Sequence, residues 1–109
     1  MVSGTILQYS STPLLLSSGM SAHDSYLWSV YILRCRDGSL YTGIAKDVQG
    51  RVVQHNRGQG AAYTRSRLPV RLLYQEDRLT RSEALAREAA IKRMPRLKKE
   101  AIIRTVFQQ

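Results

Sequence analysis

The sequence predicts an α+β domain: a small three-stranded antiparallel sheet flanked by helices, in the order ββαβαα. Three observations carry that prediction. Two short runs rich in β-branched and aromatic residues, Trp28–Cys35 and Leu40–Ile44, are joined by Arg36-Asp-Gly-Ser39, and Asp-Gly between such runs is a strong hairpin signal. A third run of the same character, Val70–Gln75, follows later. The segments after the hairpin and after the third run open with helix-capping residues instead of strand alternation. With 109 residues, the chain has room for one small core.

Residues 1–25 differ in kind from the rest. They are rich in Ser and Thr and lack helical or strand periodicity. They are expected to form a disordered N-terminal extension, leaving 26–109 as the domain. Met20 opens a stretch that could serve as an ordinary bacterial protein start, so residues 1–19 read as an upstream addition.

Within the domain, Trp28–Cys35 has apolar residues on both faces, Val30 and Ile32 against Tyr31 and Leu33. It is therefore expected to be a central strand covered on both sides. Leu40–Ile44 is the return strand. Asp47 can N-cap a helix from Val48 to about Arg57, with Gly58 as its stop. Val48 and Val52 mark the packing face. Gly50 weakens this helix by about 1 kcal/mol relative to Ala, which points either to a close approach or to a tolerated imperfection. Residues 58–69 read as a basic, Gly-containing loop ended by Pro69. Thr80-Arg-Ser-Glu83 is a capping box for a helix running from Ala84 to Met94. Pro95 separates it from a last helix, Arg96–Phe107, with Leu97, Ala101, Ile102 and Val106 at core spacing.

Charge is distributed unevenly. All 17 Lys and Arg fall in residues 26–109 with 7 acids, a local net charge of +10, whereas residues 1–25 hold only Asp24. A domain this basic attracts polyanions, nucleic acid first, and its excess of Arg suits bidentate phosphate contact. The plainer reading is a solubility charge. Cys35 is the only cysteine, which rules out an intrachain disulfide and fits a reducing cytoplasm. Its strand-end position reads as a buried thiol. No apolar run approaches the ~18–20 residues that span a bilayer, and Leu14–Leu16 is too short for a signal sequence.

Several residues could carry chemistry. Arg51 and His55, four apart, share one helix face, and a guanidinium beside an imidazole makes sense facing a phosphate; a solvated rim is the plainer account. Glu88 falls between Leu85 and Ile91 on the packing side of its helix. A carboxylate there needs a cation: Arg51, Lys92 or a bound metal, for which Mg²⁺ with several waters is the natural choice. A Glu88–Arg brace is the structural alternative. Tyr31 and Tyr41 are ordinary strand packing or site residues, and whether they share a face depends on hairpin register. Gly43 leaves space beside Tyr41 for a backbone or a substrate.

Taken together, these residues resemble the GIY-YIG nuclease superfamily. The name motif survives as Ser29-Val30-Tyr31 and Tyr41-Thr42-Gly43, with Ser29 and Thr42 replacing a glycine and an isoleucine. Val30-Tyr-Ile-Leu-Arg-Cys35, Gln54-His-Asn56, Ala62-Tyr-Thr-Arg65, Pro69-Val-Arg-Leu72 and Glu88-Ala-Ala-Ile-Lys-Arg93 are similar to the small single-domain YhbQ-like (UPF0213) bacterial group. The resemblance implies a metal-dependent endonuclease acting on DNA, in repair or recombination. It makes Tyr31, Tyr41, Arg51 and His55 catalytic and Glu88 the ligand of Mg²⁺, or of Mn²⁺, with no small-molecule cofactor. Lys46 is the nearest candidate for the lysine that assists the second tyrosine in some relatives. Lys46, Tyr63, Arg65 and Arg67 are candidate nucleic-acid contacts, Tyr63 stacking on a base and the arginines meeting phosphates. The alternative is a nucleic-acid-binding module that keeps the fold with little or no turnover. Catalysis requires Glu88, Arg51 and both tyrosine hydroxyls to meet on one concave, solvent-reachable patch.

Overall fold

The computed structural model describes residues 26–107, with side chains through Thr105. The expected extension over 1–25 and the Val106 packing position lie outside the described residues. Strands β1 (Trp28–Arg34) and β2 (Leu40–Ala45) form the hairpin; helices α1 (Val48–Asn56) and α2 (Ala62–Arg65) follow; strand β3 (Arg71–Leu79) precedes helices α3 (Arg81–Lys92) and α4 (Arg96–Phe107). The sheet order is β2-β1-β3, antiparallel throughout.

The hairpin turn closes locally. Gly38 adopts a φ of 88°, which only glycine reaches without strain, and its N–H donates to the Cys35 carbonyl. Asp37 Oδ1 accepts from both the backbone and the hydroxyl of Ser39. Asp47 caps α1 by accepting from the Gly50 N–H at 3.0 Å, and a Cβ at Gly50 would collide with that carboxylate. The close approach at Gly50 is thus the cap itself. Gly58, at φ 78°, ends the helix.

As its apolar residues on both faces predict, β1 is covered on both sides. Val30 and Ile32 pack with Tyr74, Leu79, Ala84, Ile91 and Ile103 under α3 and α4. Tyr31, Leu33 and Cys35 pack with Ala45, Val48 and Val70 under α1 and the segment after it. Fully burying a side chain such as Ile32 or Ile91 contributes roughly 1.5–3 kcal/mol.

Three expectations are corrected. The basic loop contains a helical turn, α2, held by the buried Thr64. The third strand runs on through Glu76-Asp-Arg78 to Leu79 because these polar groups find partners: Glu76 accepts from Tyr74 and Arg87, and Asp77 from Ser29 and Gln75. Two register shifts against β1 accommodate the extra residues. In α4 the stripe is rotated: Ile103 is buried and Ile102 half-buried, while Leu97 is 78% exposed and Ala101 is exposed too. That helix meets the sheet mainly along β3, and Ile103 is its one buried side chain among the described residues. None of the described helices is long and apolar enough to cross a membrane.

Candidate active site

Hairpin register decides whether the two tyrosines meet. Tyr31 pairs with Gly43 and Leu33 with Tyr41, and directly opposed residues share a face. Tyr31 and Tyr41 are therefore diagonal neighbours on the α1 side, with ring centroids 6.4 Å apart. Gly43 serves the Tyr31 ring: a Cβ at position 43 would lie 2.6 Å from the Tyr31 hydroxyl. The space beside Tyr41 is thus filled from within the sheet.

Helix α1 lays His55 against both phenols. Its imidazole meets Tyr41 edge-on at 5.4 Å, and His55 Nε2 is 3.1 Å from the Tyr31 hydroxyl. The second ring nitrogen, Nδ1, is 2.9 Å from Thr64 Oγ1 in α2. Tyr31 and His55 are each 1% exposed, so the solvent-facing part of the cluster belongs to Tyr41, Arg51 and Glu88, all half-buried. Of the expected solvent-reachable patch, these three form a partly exposed group over an enclosed phenol–imidazole pair.

Electrostatics follow from that enclosure. Burial pushes the Tyr31 phenol up to about 12; Tyr41 adds to the rise, the Arg51 guanidinium opposes it by charge and hydrogen bonding, and the Glu88 carboxylate raises it slightly. Burial and then the Arg51 charge hold His55 below the usual imidazole value. Arg51 and Glu88 both act on the Tyr31 phenol, though they stand on helices on opposite sides of the sheet. Arg51 makes no salt bridge among the described residues.

Glu88 belongs to a stripe with Ala84 and Ile91, both fully buried. Leu85, expected to flank it, is 38% exposed, because at 100° per residue it falls at the rim of that stripe and Ile91 near its centre. Of the three cations considered, Lys92 is the one in contact, its Nζ 3.3 Å from Glu88 Oε2.

The remaining candidates divide. Tyr63 stacks on Tyr41 at 6.2 Å and 21°, extending the aromatic group outward. Arg67 lies over the Tyr63 ring at 3.8 Å, bonded to Asp37 Oδ2 and the Tyr63 carbonyl. Arg67 is thus largely engaged within the protein, while Arg65 is exposed. Lys46 points elsewhere, its Nζ 5.6 Å from the Trp28 ring. Trp28 packs with the cluster on the other sheet face, and Lys46 is not among the charges acting on Tyr31.

Thr64 and Asn56 fall within motifs quoted above, but the sequence alone assigns neither a role of its own. Asn56 accepts from the Val70 N–H at 2.7 Å and donates to its carbonyl at 3.0 Å, tying the end of α1 to the start of the third strand. The legible signal was the helix stop at Gly58, which turns the chain back toward α1.

Comparison with known proteins matches this arrangement. The family model of the GIY-YIG catalytic domain matches residues 27–100. The UPF0213 proteins of Staphylococcus aureus strains N315 and MW2 are 61% identical over 75 residues, 69% of this chain and 92% of theirs. The solution NMR structure of protein EF2693 from E. faecalis is 40% identical, covering 74% of this chain and 86% of that one, with a TM-score of 0.51. The UPF0213 protein BH0048 from Bacillus halodurans, also solved by NMR, is 42% identical over 72% of this chain and 83% of its own, with a TM-score of 0.48. Matched over residues 27–100 by the catalytic-domain model and 61% identical to these relatives, the chain belongs to the GIY-YIG family of nuclease domains, among its UPF0213 members.

Proposed function

We propose that this domain is a metal-dependent endonuclease that hydrolyses phosphodiester bonds in DNA. The observation that carries the reading is the 3.1 Å contact between the Tyr31 hydroxyl and His55 Nε2. A phenol held near 12 is not ionised at neutral pH. It can still act as a base if it passes its own proton to a neighbour as it receives one. In the proposed step a water gives a proton to the Tyr31 oxygen while Tyr31 gives its proton to His55 Nε2. The water oxygen bonds to phosphorus, the bond to the 3′ oxygen breaks, and that oxygen takes a proton from solvent.

Tyr41 joins Tyr31 and His55 from the half-exposed side and takes part in orienting the water. Arg51, in no salt bridge among the described residues, would bind the equatorial phosphate oxygens as charge builds. Its charge disfavours an imidazolium at His55 until a bound phosphate offsets it. Tyr63, 40% exposed, and Arg65 are the outward contacts for nucleic acid. Arg67 supports Tyr63 in that role, and Lys46 contributes only general positive surface.

The Glu88 environment fits a hard divalent ion completed by others. It is one carboxylate, 19% exposed, and Mg²⁺ commonly takes one or two carboxylates together with waters and substrate phosphates. Mg²⁺ or Mn²⁺ there would supply Lewis-acid stabilisation of the leaving oxygen. Lys92 would have to yield its contact with Glu88. The basic domain fits a DNA partner, and its reading as a cytoplasmic repair or recombination enzyme rests on family analogy.

The enclosure of Tyr31 favours a second reading, a nucleic-acid-binding module with little turnover. Purified protein incubated with single-stranded, duplex and branched DNA, with and without Mg²⁺ or Mn²⁺, separates the two. Metal-dependent cleavage that is lost in Glu88→Ala and Arg51→Ala supports the enzyme. Binding without cleavage in every case leaves the module, and cleavage equal in wild type and variants assigns it to a contaminant.

A further inference from the structure

We propose that Thr64 is a positioning residue that locks the His55 imidazole in its Nδ1–H tautomer, leaving Nε2 able only to accept a proton from Tyr31. The argument is a count of protons. The Thr64 hydroxyl has one hydrogen. Its Oγ1 lies 2.9 Å from the Ala61 carbonyl oxygen, which can only accept, so the hydroxyl proton is placed there. The second contact of Oγ1, at 2.9 Å to His55 Nδ1, then needs a proton from the ring. A neutral imidazole has one N–H. Nε2 is therefore bare, and the 3.1 Å contact with Tyr31 is a phenol donating to it. In the opposite tautomer the hydroxyl would turn to Nδ1, leaving two oxygens 2.9 Å apart with no proton between them.

The surroundings hold this arrangement in place. Thr64 is fully buried, so water does not compete for its oxygen. A Cβ at Gly60 would collide with the imidazole, so the backbone there forms a wall against the ring. Asn56 fixes the far end of the same segment to Val70. A segment that reads as a basic loop thus also forms the socket of an imidazole on the preceding helix.

The effect on turnover rests on the hydrolytic reading above; the tautomer does not. The test is a long-range ¹H–¹⁵N correlation spectrum of the uniformly ¹⁵N-labelled full chain at about pH 8, with the other histidine assigned through His23→Gln. Burial and Arg51 keep His55 neutral under those conditions. Wild type is expected to show a protonated Nδ1 and a bare Nε2. Thr64→Val, which removes the acceptor, is expected to shift the signals toward Nε2–H, and Thr64→Ser to restore them. A wild-type Nε2–H pattern, or an unchanged tautomer in Thr64→Val, overturns the inference. If Thr64→Val fails to fold, the wild-type and Thr64→Ser spectra still decide it. In cleavage assays Thr64→Val should lower kcat by about 10–100-fold, the usual scale for partners that orient a functional imidazole, with KM unchanged and Thr64→Ser recovering most of the loss. Absence of cleavage in wild type would remove the hydrolytic reading and leave the spectra to judge the tautomer.

Discussion

The two faces of β1 each bury a tyrosine, and the two phenols are held in different ways. Tyr74, under α3, donates to Glu76 at 2.6 Å, and Glu76 is also gripped by Arg87 through Nε and Nη2. Tyr31, under α1, lies 3.1 Å from Nε2 of the His55 imidazole, with the nearby Arg51 outside any salt bridge among the described residues. Both phenols are pushed above their ordinary value, chiefly by burial. At Tyr74 the adjoining charge is already neutralised by Arg87, so the triad is complete and its proton has no useful destination. At Tyr31 the acceptor is a base that can take the proton, and the cation beside it is left to meet an anion. On the proposed reading, what separates a structural tyrosine from a functional one is the state of its partner.

The sharpest way to break this comparison is to remove each hydroxyl in turn. Tyr31→Phe should reduce metal-dependent DNA cleavage by about 10²–10⁴-fold, the range for a lost proton-transfer group. Tyr74→Phe should leave cleavage within a few-fold of wild type while costing roughly 1.5–3 kcal/mol of unfolding free energy by urea titration. Equal losses of cleavage would erase the distinction between the faces.

Gly43→Ala acts on the Tyr31 side alone. The new Cβ would overlap the Tyr31 hydroxyl and its ring carbon at 2.6 and 2.7 Å. Displacing the phenol by about 1 Å should lower turnover about 100-fold, and overpacking should cost about 1–3 kcal/mol. Cleavage rates and denaturation midpoints measured on the same samples check both effects.

A pH series sharpens the comparison. His55 is held below its ordinary value of 6.5, so the folded state favours the neutral ring. That stabilisation is complete above about pH 6.5 and is lost as pH falls toward the depressed value. His55→Gln should flatten this acid slope of unfolding free energy. Tyr31 has the opposite sign: its contribution is present below about pH 10 and is lost as pH rises toward about 12. Denaturant midpoints across both windows, for wild type and His55→Gln, test the signs.

The smallest effect is expected at Lys92. Its pairing with Glu88 is an i,i+4 contact with the amine half exposed, and such pairs are worth about 0.3–0.5 kcal/mol. Lys92→Ala should therefore change the urea midpoint only slightly. A loss of several kcal/mol would mean that Glu88 is a fold-bracing carboxylate, free of any metal role.

Local chemistry made much of the fold readable. Asp37-Gly38 announces the hairpin, Asp47 and the Thr80–Glu83 box announce two helices, and the double-sided apolar pattern of β1 announces its central place. The miscues arose where distant partners override local pattern. Glu76 and Asp77 stay in a strand because Arg87 and Ser29 satisfy them, and α2 forms with no side-chain cap because Thr64 is buried against His55. Lys46 looked close to Tyr41 along the chain, yet alternation across the sheet sends it to Trp28. At the site, the residue types and their order were legible, but their contacts were not.

By itself the sequence determined the hairpin, the capped helices and which side chains were available for chemistry, because caps, turns and periodicity act within a few residues. Only the tertiary structure decided that Tyr31 and Tyr41 share a face, that His55 bridges Tyr31 to Thr64, and that Arg51 and Glu88 both act on one phenol. Those outcomes depend on strand register and on contacts between groups distant along the chain, 24 residues apart for the Tyr31–His55 pair. A one-residue slip in that register would send every side chain of the strand to the opposite face, so no local preference could have specified them.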